Sequence, residues 1–443
     1  MSLSGGFDLT TLAHWPVPVW SKGGVVGNVA IDKCQYVFAD MKGAVVALDL
    51  TGNELSLLHS LKDSVSSDTV VFNNTACFVS HAGDVARVKL SDAALPQVIL
   101  DSALPTKSRA AVQTHTHQGR AIFQLTAADG TLYFRYVDDG AVCPVNIAIS
   151  SAPKNFSYGV VASPLFFTHK NNDYLFYVDR AERALCASLT ENSVVWSMPL
   201  PYGVDSDPVF DAASGTVLFS SGESLLGGIT GNLYAYDAAT ATLRWEVPLG
   251  GGADAAPALV TWQGIHAVAT ATLKNASVII VSLADGRILY EYELPETGGC
   301  RHSGGACVPI GYSGYHTQTT VCKIYAQPIA CVRTDGSSAL LVFSHNGNAY
   351  WLTPDQEAVI LPLGGSVRAS AAMLSDTALV IHAGSTIARL TLPEGWRIVA
   401  QPTQKIDFPT TQLKWRFAAE NNHLRCKRLR RKFRRRFLSD RDS

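Results

Sequence analysis

Charged side chains and long apolar runs are both scarce in this sequence. Only 16% of its 443 residues are charged, whereas 47% are apolar, so the chain can bury a large core and is not disordered as a whole. No apolar run approaches the roughly 20 residues of a membrane-spanning helix, and no signal peptide is visible at the first residues. We therefore expect a cytoplasmic protein, with the nucleus as the alternative location.

Recognisable catalytic motifs are missing as well. The sequence contains no Gly-x-Ser-x-Gly, no phosphate-binding Gly-x-x-x-x-Gly-Lys-Ser/Thr and no His-Glu-x-x-His. Its nine cysteines are irregularly spaced, which in a chain without a secretory signal favours free thiols over disulfides. We predict no catalytic residues and no cofactor, and we favour a protein that is not an enzyme.

A two-strand unit recurs along most of the chain. In its clearest copy a turn at Gly231 precedes the alternating Leu233 and Ala235, and a second turn leads to Leu243 and Trp245, as expected for strands with one buried face. Gly or Asn at such turns favours a tight hairpin, because both residues tolerate a positive φ. The first turn has eight copies: Lys42-Gly43, His81-Ala82-Gly83, Asp129-Gly130, Glu182-Arg183, Gly231-Asn232, Lys274-Asn275, Asn346-Gly347 and His382-Ala383-Gly384.

Most spacings between these turns are about 40–50 residues, which is typical of a β-propeller. The predicted fold is all-β, an eight-bladed β-propeller over residues 15–402, with seven blades as the alternative because the third and fourth units are weak. We expect a strand from an early segment to close the ring with the last blade, since closure protects sheet edges. The remaining parts are an N-terminal segment (1–14), an insertion (about 296–320), a linker (403–424) and a basic tail (425–443).

A large aromatic residue marks the outer strand of several units. Trp196, Trp245 and Tyr290 each stand four positions after the second turn, whereas Ser56 has that position in the first unit. Burying such a side chain removes roughly 150–250 Å² from water. We expect these residues to pack between neighbouring blades and to serve the fold.

The unit from Ala235 to Trp245 has the pattern Ala-x-Asp-x-x-Thr-Ala-x-x-x-Trp. It resembles the PQQ-like repeat, in which glycine stands in place of Ala241. Residues 233–295 most resemble the C-terminal propeller of the β-alanine-activating enzyme, an acyl-CoA synthetase family member. The resemblance implies a propeller and says little about function, because propellers host many activities. Quinoprotein members of the family hold their quinone with two adjacent cysteines, and this chain has no such pair.

Potential metal ligands are concentrated in the insertion. Cys300, His302, Cys307, His316 and Cys322 are of the types that zinc prefers, but their spacing lacks the closely paired cysteines of a specific zinc motif. The alternatives are a loop with free thiols and, in an oxidising compartment, a disulfide between Cys300 and Cys307. These five residues are candidates, and we do not predict a metal site from them.

Two further groups of polar residues carry a weaker signal. His115 and His117 would share one face of a strand, and without a third ligand nearby we expect them to be exposed on an outer strand. Asp205, Asp207 and Asp211 lie close together, but their spacing does not continue into a calcium loop with a bidentate Glu at its twelfth position. We interpret the three aspartates as turn residues.

A basic tail ends the sequence. Residues 425–443 hold ten Lys or Arg and two Asp, a net charge of +8, whereas residues 1–424 carry −9. Leu429, Phe433 and Phe437 recur every four residues, so a helix here would have a narrow apolar stripe in a basic surround, which suits an anionic membrane or an acidic protein. Nucleic-acid binding, nuclear import and a solvated tail without a partner are the alternatives.

The function predicted from these features is that of a non-enzymatic scaffold, which binds a protein partner or a small ligand through its faces and loops. The first alternative is the propeller portion of a relative of the β-alanine-activating, adenylate-forming enzyme, although no adenylation loop precedes the repeats. The second alternative is a PQQ-dependent oxidoreductase.

Overall fold

The computed structural model describes residues 4–17, 19, 25–30, 33–65, 69–90, 96–149, 161–180, 182–222, 231–272, 276–295, 324–399, 406, 408 and 413–415. These residues contain 34 β-strands and one short 3-10 turn, Ser4–Gly6. The strands form eight separate sheets. The first strand, β1 (Asp8–His14), belongs to the last of these sheets.

The first four blades have their strands in chain order from one edge of the sheet to the other. Blade 1 consists of β2 (Val25–Ala30), β3 (Lys33–Ala39), β4 (Ala44–Asp49) and β5 (Leu55–Ser60). Blade 2 consists of β6 (Val70–Phe72), β7 (Thr75–Val79), β8 (Val85–Lys89) and β9 (Gln97–Asp101). Blade 3 consists of β10 (Gln113–His117), β11 (Arg120–Thr126), β12 (Thr131–Tyr136) and β13 (Val142–Ile149). Blade 4 consists of β14 (Leu165–His169), β15 (Asn172–Asp179), β16 (Arg183–Ser188) and β17 (Ser193–Pro199).

The next three blades repeat this order, and the eighth blade combines both ends of the ring. Blade 5 consists of β18 (Val209–Asp211), β19 (Thr216–Ser220), β20 (Asn232–Asp237) and β21 (Leu243–Pro248). Blade 6 consists of β22 (Ala258–Trp262), β23 (Ile265–Ala271), β24 (Ser277–Ser282) and β25 (Ile288–Glu293). Blade 7 consists of β26 (Ile329–Arg333), β27 (Ser338–Phe343), β28 (Asn348–Thr353) and β29 (Gln356–Pro362). Blade 8 consists of β30 (Ala372–Ser375), β31 (Ala378–Ala383), β32 (Thr386–Thr391) and β1.

The ring is closed by β1, which pairs antiparallel with β32. Its register places Asp8 opposite Thr391 and His14 opposite Thr386. The fold is thus an eight-bladed β-propeller, and both the blade count and closure by an early strand are confirmed. The ring begins within the 14 residues that we expected to precede it, because the pairing partner of β1 is more than 370 residues away and leaves no local signal in the sequence.

Seven of the eight aligned turns connect the second and third strands of a blade, and the sixth, Lys274-Asn275, lies outside the described residues. Gly43, Gly130 and Gly347 have φ values of +83°, +86° and +90°, a region that glycine enters at little cost. At Gly130 an added Cβ would also lie 2.7 Å from the carbonyl oxygen of Ile149. The fourth turn lacks a glycine, and there Glu182 adopts a φ of +63°.

The described core residues form eight apolar clusters, one in each gap between neighbouring blades. Trp196 of blade 4 donates its indole N–H to the carbonyl oxygen of Ala238 in blade 5, at 2.9 Å. Trp245 of blade 5 reaches Leu283 in blade 6 in the same way, at 3.0 Å. Both tryptophans therefore pack between blades, and Tyr290 packs against the apolar cluster of blades 6 and 7.

The chain after blade 8 returns to the ring twice. Strand β33 (Trp396–Ile398) pairs with β26, the first strand of blade 7. Residues 406 and 408 then hydrogen-bond to β10 of blade 3, and β34 (Leu413–Trp415) pairs parallel with β13 at the outer edge of that blade. Blades 3 and 7 are opposite in a ring of eight. The predicted linker 403–424 is thus corrected in part, and the sequence did not reveal these contacts because they involve only short, non-periodic stretches.

Candidate functional site

The two faces of the ring differ in their connections. One face, here called the short-turn face, carries the turns between the first and second strands of each blade, several of which are two-residue turns such as Asn73-Asn74 and Gln263-Gly264 with both residues at positive φ. The other face carries the connections between second and third strands and between successive blades. Because the two longest connections (150–164 and 294–328) both start and end there, we call it the long-connection face.

The connections between blades are tied to one another on the long-connection face. Ser163 accepts a hydrogen bond from the Ala111 amide at 2.8 Å, and its own amide donates to the Asp207 carboxylate at 2.6 Å. Gln327 links its neighbours in the same way, with its amide donating to Ser370 Oγ at 3.0 Å and its side chain donating to Pro257 O at 2.9 Å. These hydrogen bonds link adjacent connections to one another, and the linked connections form a rigid support for the longer loops.

A half-buried polar cluster lies in this face at blades 6 to 8. The ring of Tyr325 is 6.1 Å from the ring of His345, and the guanidinium carbon of Arg368 lies 5.9 Å from the centre of the Tyr325 ring. Burial, and after it the Asp254 carboxylate, raises the pKa of Tyr325 to about 12, so its hydroxyl stays protonated and can donate. The cluster offers a carboxylate, a cation, a phenol and an imidazole, a set suited to hydrogen-bonding a polar ligand or peptide group.

A second polar group lies on the same face at blades 2 and 3. Burial, and after it the positive charge of Arg109, lowers the pKa of His81 to about 4. The His81 Nδ1 atom is 2.8 Å from Ser64 Oγ, a distance that would suit a nucleophile and its base. An imidazole of such low basicity is a poor general base at neutral pH, so this pair is better explained as a structural contact.

The three neighbouring aspartates predicted to be turn residues have separate partners. Asp205 forms a buried bidentate ion pair with Arg180, with both nitrogen-to-oxygen distances at 2.5 Å. Asp207 receives the Ser163 amide, and Asp211 lies at the short-turn face, where it accepts from the amide of Ser214 at 2.9 Å. The aspartates do not converge, and within the described ranges no group of three or more His, Cys, Asp or Glu residues could hold a metal ion.

The histidine pair is placed differently from our expectation. His115 and His117 are on β10, the first strand of blade 3, and both side chains are buried, so the prediction of exposure on an outer strand is wrong. The reason is that Phe166 of blade 4 and Phe408 of the returning chain cover His115. The alternation of Thr and His in the sequence is typical of a polar strand at the surface. The residues that cover His115 are far away in the chain, so the sequence around the pair does not indicate its burial.

The remaining sequence candidates lie outside the described residues. These are the five possible metal ligands in the insertion, Cys300, His302, Cys307, His316 and Cys322, and the whole of the basic tail 425–443. In the sequence the insertion lies between β25 and β26, a connection that belongs to the long-connection face and that also contains Tyr325. Of the cysteines that are described, Cys77, Cys143, Cys186 and Cys331 are buried free thiols.

A cavity of about 410 Å³ opens on the short-turn face between blades 5 and 7. Leu259, Cys331 and Val399 contribute to its mainly apolar lining, while Asp211 and His266 stand 3.7 Å apart beside it. Val399 follows β33, so the returning chain forms part of the wall.

In the part of the chain that the structure describes, no helix is long and apolar enough to span a membrane.

Comparison with known proteins supports the propeller class. Residues 187–313, under a third of the chain, match the family described as outer membrane protein assembly factor BamB, which agrees with the PQQ-like repeat pattern but does not support the narrower relation to the β-alanine-activating enzyme. No curated protein matches the sequence.

Solved structures extend this likeness to the whole ring. BamB from Moraxella catarrhalis has a TM-score of 0.53 at 12% identity, covering 88% of this chain and 98% of its own. The Dos1 propeller has a TM-score of 0.57 at 10% identity, covering 89% and 96%. BBS1N, crystallised in complex with ARL6DN, has a TM-score of 0.51 at 12% identity, covering 87% and 96%. At these identities the likeness shows the fold alone.

Proposed function

We propose that the chain is a protein-interaction scaffold that binds its partner through the long-connection face. The observation that carries this proposal is the difference between the two faces: the two longest connections, 150–164 and 294–328, both arise on one of them, from loops that hydrogen-bond to one another. Loops held by a rigid scaffold are where binding residues concentrate. The structure of BBS1N with ARL6DN offers an analogy for a propeller in complex with another protein.

The polar cluster of Asp254, Tyr325, His345 and Arg368 is the part of this face that we expect to contact the partner. It lies beside the point where the insertion rejoins the ring, so a partner held by the insertion would meet it. Its mixed charges suit polar and charged groups of a protein surface better than an apolar ligand.

The test compares partner capture by the wild-type chain and by three variants of it. In one variant a short Gly-Ser linker replaces residues 297–322, and in a second Arg368→Ala and Tyr325→Phe are combined. The control variant exchanges the Gln263-Gly264 turn on the short-turn face for Asn-Gly, which keeps a tight hairpin. We expect partners of the wild-type chain, quantified by cross-linking mass spectrometry, to be lost in both variants and kept in the control. Partners that survive both variants, or that are lost with the control, would contradict the proposal.

The basic tail is proposed as a second contact, for an acidic protein or another anionic surface. Its +8 charge against the −9 of residues 1–424 supports an interaction role, and β34 places residue 415 at the outer edge of blade 3. Binding that depends on the tail should weaken with salt and should be lost in a chain ending at residue 424. The relation to the β-alanine-activating enzyme, drawn from residues 233–295, stays a proposal, and the cytoplasmic location stays a prediction.

A further inference from the structure

The returning chain binds blade 3 as an added strand would. The amide of Thr116 donates to the carbonyl oxygen of Ile406 at 3.0 Å, and the amide of Phe408 donates to the carbonyl oxygen of Thr116 at 2.8 Å. Thr116 belongs to β10, which has only one strand partner in its described sheet, β11. The two bonds therefore use the free edge of a sheet, which is the main-chain part of peptide recognition by strand addition.

The side chains of the same segment fill a gap between blades 3 and 4, here called the slot. The ring of Phe408 lies 4.6 Å from Phe134, 5.1 Å from Phe166 and 5.2 Å from His115, measured between ring centres. Ile406 and Phe408 are 1% and 3% exposed and belong to the apolar cluster of these two blades. Residues two apart in an extended segment share a face, so an aliphatic and an aromatic side chain enter the slot together.

A polar contact further defines the bound segment. Nδ1 of His117 donates to the carbonyl oxygen of Phe408 at 2.8 Å. With the two bonds of Thr116, it holds three main-chain groups of residues 406 and 408. Main-chain bonds of this kind do not depend on side-chain identity, so selectivity must come from the two apolar side chains.

The slot also contains buried polar atoms that its occupant leaves unsatisfied. Among the described residues, neither ring nitrogen of His115 has a hydrogen-bond partner, and the same holds for Nε2 of His117. Burying such atoms without partners costs free energy. Water could reach these nitrogens when the segment leaves, and their hydration would offset part of the free energy needed to expose Ile406 and Phe408. Exchange is therefore easier than in a core whose polar atoms are all satisfied.

We propose that the slot between blades 3 and 4 is a peptide-binding site that this chain fills with its own Ile406 and Phe408. It accepts in exchange an extended peptide of a partner protein with an aliphatic residue followed two positions later by an aromatic one. The site opens on the short-turn face, since His117 directly precedes the turn Gln118-Gly119. It is thus separate from the long-connection face, and neither proposal depends on the other.

The test uses a fluorescent synthetic peptide with the sequence of residues 401–415 and the full-length chain. The variant Phe408→Ala should vacate the slot and bind the peptide, as measured by fluorescence anisotropy. The wild-type chain should bind it at least tenfold more weakly, because a tethered segment competes at an effective concentration in the millimolar range. A control peptide with alanine at the position of Phe408 should not bind, and the double variant Phe408→Ala with Phe166→Ala should lose the site.

Several results would overturn the proposal. If the folded Phe408→Ala chain binds neither peptide, or binds both equally, the slot is not a selective peptide site. Should that variant fail to fold, a protease site placed within residues 401–405 of the otherwise unchanged chain allows cleavage of the folded protein. Excess wild-type peptide should then displace the C-terminal fragment in size-exclusion chromatography, whereas the alanine peptide should not. A fragment released only by denaturation, or displaced equally by both peptides, would equally refute exchange.

Discussion

Trp245 of blade 5 lies directly on Gly286, in the last turn of blade 6. A Cβ atom added to Gly286 would be 2.7 Å from Cγ of Trp245, well inside contact distance, and Gly286 has a φ of +75°. The indole N–H meanwhile donates to Leu283 in the same blade. The tryptophan of one blade thus requires a glycine in the next, and this requirement can be measured.

Gly286→Ala should lower the free energy of unfolding by about 2–4 kcal/mol, because a left-handed alanine costs about 1 kcal/mol and an overpacked contact about 1–3 kcal/mol. Gly264→Ala is the matched control, since Gly264 has the same φ of +75° but nothing within 4 Å of an added Cβ. It should lose only the conformational part, about 1 kcal/mol. Equal losses in denaturant unfolding would show that the contact with Trp245 contributes nothing.

Trp245→Ala should destabilise the ring by about 3–5 kcal/mol, as large aromatic truncations in a core do. Trp245 is 8% exposed, whereas Leu243, two residues earlier on the same strand, is 43% exposed. Leu243→Ala should therefore change the unfolding free energy by less than about 0.5 kcal/mol. A loss below about 1 kcal/mol for the tryptophan variant would place that side chain outside the core.

The repeated turns were predictable because each one carries a local signal, such as Gly43, Gly130 or Gly347 at a position that needs positive φ. The aromatic of the outer strand was predictable for the same reason. The slot was not, since Phe408 meets His115 across almost 300 residues and neither residue has a periodic neighbourhood. The polar cluster escaped detection in a similar way, because its four residues come from separate connections that only the ring brings together.

The buried ion pair between Arg87 and Asp101 lies within blade 2, and Arg87 also links this blade to blade 3. Its nitrogen-to-oxygen distances are 2.8 and 3.1 Å, and Arg87 also donates to the carbonyl oxygen of Val137 at 3.1 Å. Asp101→Asn should cost about 3–5 kcal/mol, because it leaves a buried guanidinium without its counter-charge. As a control, Asp138→Asn removes a carboxylate from the exposed pair with Arg120 and should leave the unfolding midpoint almost unchanged. Similar midpoints for the two variants would argue against a role for burial.

Acid should open the slot through His115. Burial lowers the pKa of His115 to about 3 from an ordinary 6.5 while Phe408 covers it, so the covered form binds a proton less readily than the open form. The covered form is therefore fully favoured above pH 6.5 and loses stability as the pH falls below that value towards 3. Between pH 7.5 and 5.5 the open fraction should rise about tenfold if the exposed imidazole regains its ordinary pKa.

This pH effect is measured as peptide exchange on the wild-type chain. The aromatic residues that pack at the slot do not titrate; these are Phe134, Phe166 and Phe408. The ionisable residue near His115 on the same strand is His117, whose ring in turn lies near that of Tyr136. His115→Phe keeps an aromatic ring in the slot and removes the ionisable imidazole of His115. Its exchange rate should become nearly independent of pH over this range. A tenfold rise that persists in His115→Phe would show that His115 does not cause the effect, and a wild-type rate that does not change would mean that the slot does not open in this way.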